Sequence, residues 1–403
     1  MSRRAHSASP ARPVKRAKLD HLTSEDFKDG IFLAPMVRSG ALPTRLLALK
    51  YGAKLVWGPE MVDKAILHAT RQVDPVTGIV SYVGNTRAMF QCSPLEKPYL
   101  IYQIGSADPD LAVQAAKKVM QDVSGIDLNC GCPKPFSTHA GMGSALLNTP
   151  DLLCSILTAL REAMPPEITV SAKIRMLPSQ EDTLNLVERI INTGISALTV
   201  HCRTRTMRDR DPAMIERLRD IVEFVEKSGK DIAVIENGDC KGYEDAKRIR
   251  ELTGAHSVMI ARGAEANPSC FSPNPLVDVD KTLYPAYFRL AKYTGNHFSL
   301  TKFCINQFAG AFVNTTKSDM TKLRGRIARA KNYDDVADIA GVWTGEQEYK
   351  EIEDALRARS IHEAQEPSQP VTPCFTENPE PPGSGAPESP HATSPCPPPY
   401  ASG

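Results

Sequence analysis

The sequence predicts an α/β fold, a (β/α)8 barrel of the TIM type followed by a small all-α domain. Three observations carry that reading. Eight short β-rich runs follow one another from Gly30, and helical patterns separate most of them. One run after another then ends in polar residues, as a barrel with its active site at the C-terminal ends of the strands demands. Beyond about Asn267 the alternation stops and helical periodicity takes over.

The expected strands are Ile31–Met36, Lys54–Glu60, Tyr99–Gly105, Gly125–Cys130, Thr169–Met176, Ala197–Arg203, Ile232–Asp239 and Ser257–Gly263. Helices are expected over Pro43–Tyr51, Pro109–Asp122, Ser144–Ala163, Glu181–Thr193, Pro212–Lys227 and Tyr243–Leu252, each with apolar residues three to four apart. Pro43, Pro109 and Pro212 suit helix starts; Gly52, Gly194 and Gly229 suit helix ends. The second connection differs, holding a short helical stretch, Val62–Ala69, and then an inserted hairpin from Val73 to Gln91. Residues 29–270 thus form the barrel, and 281–359 read as a helical domain.

Both ends differ in texture. Residues 1–28 are rich in Ser, Ala, Pro and Arg and read as a disordered arm. Within the arm, residues 13–20 (PVKRAKLD) have the form of a nuclear-import signal, or of a merely solvated basic tail. Residues 363–403 are dominated by Pro, Ser, Gly and Thr and read as a disordered tail. With 403 residues, 41% of them hydrophobic, the chain can bury a barrel-sized core. A net charge of +1 confines any nucleic-acid binding to local basic patches. The ten cysteines follow no pairing pattern or zinc spacing, so we expect reduced thiols and no metal. No apolar run approaches the ~18 residues of a membrane span.

The chemistry centres on Gly125 to Leu147, where a buried-strand pattern runs into Gly131, Pro133 and Pro135 and leaves Cys132 in the turn. A thiol there can serve as proton donor or as nucleophile. Gly141 and Gly143 suit a hinge beside it. Asn237-Gly238-Asp239 and Ala261-Arg262-Gly263 stand at the ends of the seventh and eighth strands, where such barrels commonly hold phosphate. Lys173 either stabilises negative charge on an electron-accepting ring or pairs with Glu60 or Asp127. Gln103 can donate and accept at such a ring's edge, and His201 is a ligand or a hydrogen-bonded core histidine. Lys322, Arg324, Arg326, Arg329 and Lys331 make the helical part locally basic, as a solvated face or a phosphate-binding one.

Four segments together resemble the tRNA-dihydrouridine synthases: IFLAPMVR at residues 31–38, DLNCGCPK at 127–134, Lys173-Ile174-Arg175 and Val200-His201-Cys202-Arg203. Thr301-Lys302-Phe303-Cys304 and the residues from Ser137 to Leu147 look most like the eukaryotic tRNA-dihydrouridine(20) synthases. The resemblance implies an FMN barrel that reduces a D-loop uridine of tRNA to 5,6-dihydrouridine, with NADPH as reductant. It implies that Cys132 protonates C5 as flavin N5 delivers hydride to C6. Pro35, Met36, Val37, Gln103, Lys173, His201, Asn237, Gly238, Asp239, Ala261 and Arg262 would hold the cofactor. Asn129 and Arg203 would hold the base, and Lys302, Lys322, Arg324 and Arg326 the RNA backbone. We expect a monomer, cytoplasmic and partly nuclear. The competing readings are an FMN barrel acting on a free pyrimidine, of the dihydroorotate dehydrogenase type, and an RNA-binding barrel without catalysis.

Overall fold

The structure, a computed structural model, describes residues 21–310 and 315–365, with side chains of the last helix through Arg359. The segment 13–20 and all but the first three residues of 363–403 lie outside the described residues.

Eight parallel strands close into a barrel: β1 (Ile31–Leu33), β2 (Leu55–Trp57), β3 (Leu100–Gly105), β4 (Gly125–Cys130), β5 (Thr169–Arg175), β6 (Ala197–His201), β7 (Ala233–Asn237) and β8 (Ser257–Ile260). Each pairs with its neighbour in sequence, β8 pairs with β1, and the pairing of β2 with β3 completes the circle, so these eight strands leave no edge. Side chains alternate in and out. Phe32, Leu55, Trp57, Ile101, Ala197, Ala233, Ile235 and Met259 fill the interior, and the opposite faces pack on the surrounding helices.

The longer helices of that outer layer are α1 (Leu42–Lys50), α2 (Pro109–Val119), α3 (Pro150–Ala163), α4 (Gln180–Ile191), α5 (Leu218–Lys227) and α6 (Tyr243–Thr253). Gly52, Gly194 and Gly229 follow helices with φ of 113°, 84° and 67°, conformations in which a Cβ is disfavoured. After the barrel come α7 (Tyr284–Tyr293), α8 (Phe298–Gln307), α9 (Lys317–Arg329) and α10 (Gly345–Gln365). Glu348 of α10, almost fully buried, accepts from Lys50 of α1 at 2.9 Å and from Arg289 of α7 at 2.8 Å. Thr44 and Tyr287 share a buried hydroxyl contact at 3.1 Å.

Four local expectations are corrected. The arm expected over 1–28 ends earlier, because Ser24–Phe27 forms a helical turn and Phe27, fully buried, packs edge-on to Phe32 and Trp57 under the barrel. Instead of a hairpin, Thr70–Val73, Val80–Val83 and Ala88–Cys92 make a three-stranded antiparallel meander. Its first strand is exposed along its whole length, so the sequence shows no alternation there. The helix expected over Ser144–Ala163 divides, with a 3-10 segment over Gly143–Asn148 before Pro150 starts α3, because a proline supplies no amide to an ongoing helix. Pro212 does not open α5. Its neighbours Ala213 and Met214 donate their amides to the Asp239 carboxylate and to Cys202 O, at 2.8 and 2.7 Å, which holds that loop on the barrel mouth.

Candidate active site

Strand register stacks the polar residues at one end of the barrel. Gln103 lies beside Asp127 and Asp127 beside Ser171; one layer up, Asn129 lies beside Lys173; above that, Arg175 lies beside His201 and His201 beside Asn237. All point inward because they share the parity of the interior residues on their strands.

In the lower layer the fully buried Asp127 accepts from Gln103 Nε2 at 2.8 Å and from Ser171 at 2.7 Å. Burial raises its pKa to about 6, against those two bonds and the nearby Lys173. With the amide of Gln103 committed, its carbonyl oxygen is left to accept. Lys173 has no hydrogen bond from the described residues, and burial, with Arg175, lowers its pKa to about 8. An inward ammonium without a protein partner fits an anionic or electron-rich ligand.

The turn after β4 is built around Asn129. Its side-chain carbonyl accepts the amides of Gly131 at 2.9 Å and Cys132 at 3.0 Å. Asn129, expected against the base, also shapes the turn that carries Cys132. Arg175 braces the same turn, donating to Gly131 O at 2.8 Å and Thr204 O at 2.9 Å. The sequence reading gave Arg175 no role, and its place in the third strand-end layer was the signal that could have found it. Cys132 is a partly exposed free thiol whose pKa burial and the adjacent Glu60 raise to about 11, so it carries its proton across the neutral range. Gly143, at φ 59°, passes so close that a Cβ would lie 2.6 Å from Cys132 O. Cys130, two residues earlier, is fully buried and faces the helix layer.

Across the mouth, His201, Arg203, Asn237, Gly238, Asp239, Ala261 and Arg262 line one cleft of about 800 Å³. Asp239 sits at φ 60°, accepting from Arg203 at 2.5 Å and from Arg262. Burial alone would raise Asp239, but Arg203, the Ala213 amide and Arg262 outweigh it and hold the carboxyl below its ordinary range. The carboxylate thus organises two arginines. Arg203, expected beside the base, stands on this side, 3.3 Å from His201 Nε2. Burial, then Lys173, Arg175, Arg203 and Arg262, push His201 well below its usual pKa, so the imidazole is neutral. Asn237 donates to Met259 O at 2.9 Å. At Gly238, which lines the cleft, a Cβ would lie 2.7 Å from Ala213 Cβ, so a larger residue would have to displace that loop. The two arginines and Lys173, which takes no hydrogen bond from the described residues, fit a flavin phosphate and ring.

Pro35, Met36 and Val37 follow β1, with Val37 half-exposed on a second cleft of about 580 Å³. On the helical side, Lys302 donates to Ala328 O at 3.0 Å and Ala330 O at 2.8 Å, capping the end of α9. Lys322 pairs with Asp319 at 3.5 Å, Arg326 with Asp338, and Arg324 donates to Phe308 O at 3.2 Å.

Residues 32–313 match the family model described as dihydrouridine synthase (Dus). The chain belongs to the dihydrouridine synthase family. Two yeast members, each named tRNA-dihydrouridine(20) synthase [NAD(P)+], are similar over most of the chain. That of Schizosaccharomyces pombe is 46% identical over 319 residues, 77% of this chain and 64% of its own length. That of Saccharomyces cerevisiae is 40% identical over 297 residues, 69% of this chain and 76% of its own. This chain thus spans just under two thirds of the fission-yeast protein. Among solved structures, a 2-naphthoyl-CoA reductase aligns at a TM-score of 0.42 and 11% identity, over 61% of this chain and 51% of that one. The barrel of this chain is closed by its own strand pairing, β2 on β3 and β8 on β1.

Proposed function

We propose that this protein reduces a uridine in the D-loop of tRNA, at position 20, to 5,6-dihydrouridine. The observation that carries the reading is Cys132, a free, partly exposed thiol in the turn after β4 that stays protonated at neutral pH. The names of the two yeast relatives give the reaction, the tRNA substrate and its position.

FMN would be held by Pro35, Met36, Val37, Gln103, Lys173, His201, Asn237, Gly238, Asp239, Ala261 and Arg262, and when bound it supplies hydride drawn from NADPH. The chain does the rest. Arg203 and Arg262, set by Asp239, supply positive charge to a phosphate in the large cleft. Lys173 supplies positive charge in the barrel axis, and neutral His201 offers one N–H there. Cys132 gives its proton to uracil C5. Asn129 and Arg175 hold the turn that aims the thiol. A stacked base has to leave the RNA to reach a thiol at this depth, so recognition rests on tRNA shape and phosphates met by Lys302, Lys322, Arg324 and Arg326. The protein acts as a monomer, in the cytoplasm and, through residues 13–20 and an import receptor, in the nucleus. A reporter carrying residues 1–20 that spreads evenly through the cell would remove the nuclear assignment.

Anaerobic reduction of the purified protein by NADPH, followed by unmodified tRNA or by free uridine or orotate, tests the reaction. Reoxidation by tRNA alone supports it. Reoxidation by the free pyrimidine would make the protein a metabolic oxidoreductase, and a colourless protein that binds tRNA would make it a binding module.

A further inference from the structure

Glu60 follows β2 on the turn into Met61–Val62 and is 8% exposed. Ser137, fully buried in the short helical turn after Cys132, donates to Glu60 Oε1 at 3.1 Å. Asn129 and Cys132 stand close enough to the same carboxyl group to stabilise its charged form, against the burial that raises its pKa. Two glycines make room for this cluster. A Cβ on Gly105 would stand 2.7 Å from Glu60 Oε1, and one on Gly143 would stand 3.1 Å from Cys132 Cβ and run into Ser137 Oγ. Glu60 also lines the second cleft, with Arg38, Arg87 and His297, so its carboxyl group stands between that cleft and the thiol. The charged group facing Cys132 from β5 is Arg175, whose guanidinium is committed to Gly131 O and Thr204 O.

We propose that Glu60 is the positioning residue of the Cys132 acid: fixed by Ser137, its carboxyl group orients the thiol and keeps the proton on sulfur until a substrate carbon takes it. The proposal rests on the reading of Cys132 as the proton donor. In the transfer the S–H bond breaks, a C–H bond forms, and the S–H electron pair remains on sulfur. The thiolate then regains a proton from water, favoured because a negative sulfur lies beside a carboxylate.

The test is iodoacetamide alkylation of the full-length protein from pH 6 to 11, with Cys132 followed by peptide mass spectrometry. Glu60→Gln removes the charge and keeps the shape. We expect its alkylation midpoint at Cys132 to fall by about one pH unit, a roughly tenfold faster reaction at pH 8. Glu60→Asp, which draws the carboxyl back, should fall part of the way, and serves if the first variant does not fold. The high-pH limb of kcat for tRNA reduction should move down with the midpoint. Unchanged Cys132 profiles in the folded variants would overturn the proposal. Alkylation involves no RNA, so a shifted midpoint in a protein that does not reduce tRNA would retain the Glu60–Cys132 pairing and defeat the proposed function instead.

Discussion

Cys132 and Lys173 both have to hold a proton, and burial moves their pKa values in opposite directions. Cys132 has to keep its proton to donate it, and burial with Glu60 ensures that up to a pH near its pKa of about 11. Cys132→Ala should therefore bind flavin and keep the yellow colour while turnover of tRNA falls at least ~100-fold, as for loss of a general acid. A variant with unaltered turnover would end the acid assignment. Lys173 has to stay charged, and its pKa of about 8 sets a limit. Below that pH the ammonium dominates and above it the neutral amine does, so the affinity of the apoprotein for FMN should fall as pH rises through 8. Fluorescence titration at pH 7 and pH 9 measures it, and Lys173→Met should remove the difference.

At the scale of single elements, the turn from β4 into α3 is set by close approach. Gly143 combines φ 59° with contact to Cys132 O, so Gly143→Ala should cost about 1–2 kcal/mol from the left-handed conformation alone. Thermal unfolding should show a lower Tm, and the Cys132 turn should shift enough to lower kcat. Helix α9 presents a different case. Arg326 is engaged by Asp338 and Lys302 caps the helix, which leaves Lys322, whose pair with Asp319 is exposed, the more available of these three cations. Replacing Lys322, Arg324 and Arg326 with Ala should reduce the salt slope of tRNA binding by about one unit for each phosphate that is no longer neutralised. Filter binding from 50 to 200 mM salt reads the slope, and an unchanged one would make α9 a solvated face.

Across the whole molecule, one buried ion pair ties the barrel mouth together. Arg45 of α1 makes a two-pronged contact with Glu96 at 2.7 and 2.8 Å, and also donates to Gly40 O and Gln91 O, both at 2.6 Å. Both side chains are almost fully buried, so the contact joins the loop after β1, the meander and the approach to β3 with little screening. Glu96→Gln leaves a buried guanidinium without its counter-charge and should cost about 3–5 kcal/mol, measured by urea denaturation. The buried Glu348 joins α7, α10 and α1 in the same way, so the helical segment buttresses the flank of the barrel that carries the second cleft.

The eight strands were legible because each leaves a local period, and closure followed from their number and the helices between them. The strand-end polar residues were legible for the same reason: the turn after a barrel strand falls at a fixed place in the repeat. Contacts between distant segments leave no such trace. Glu60 and Ser137 stand 77 positions apart and meet only because β2 and β4 flank β3 in the closed sheet. Arg203 was legible from its motif, but its ion pair was not, because the curl of the loop after β7 puts Asp239 within its reach. Phe27 looked like part of a polar arm because one aromatic residue has no period, and the open base of a closed barrel gave it somewhere to go. The sequence by itself determined which strands exist and which residues cap them, through periodicity and turn chemistry. Tertiary structure alone decided which of those residues touch, because proximity across a barrel depends on strand order and register, which are set by the packing of the whole chain.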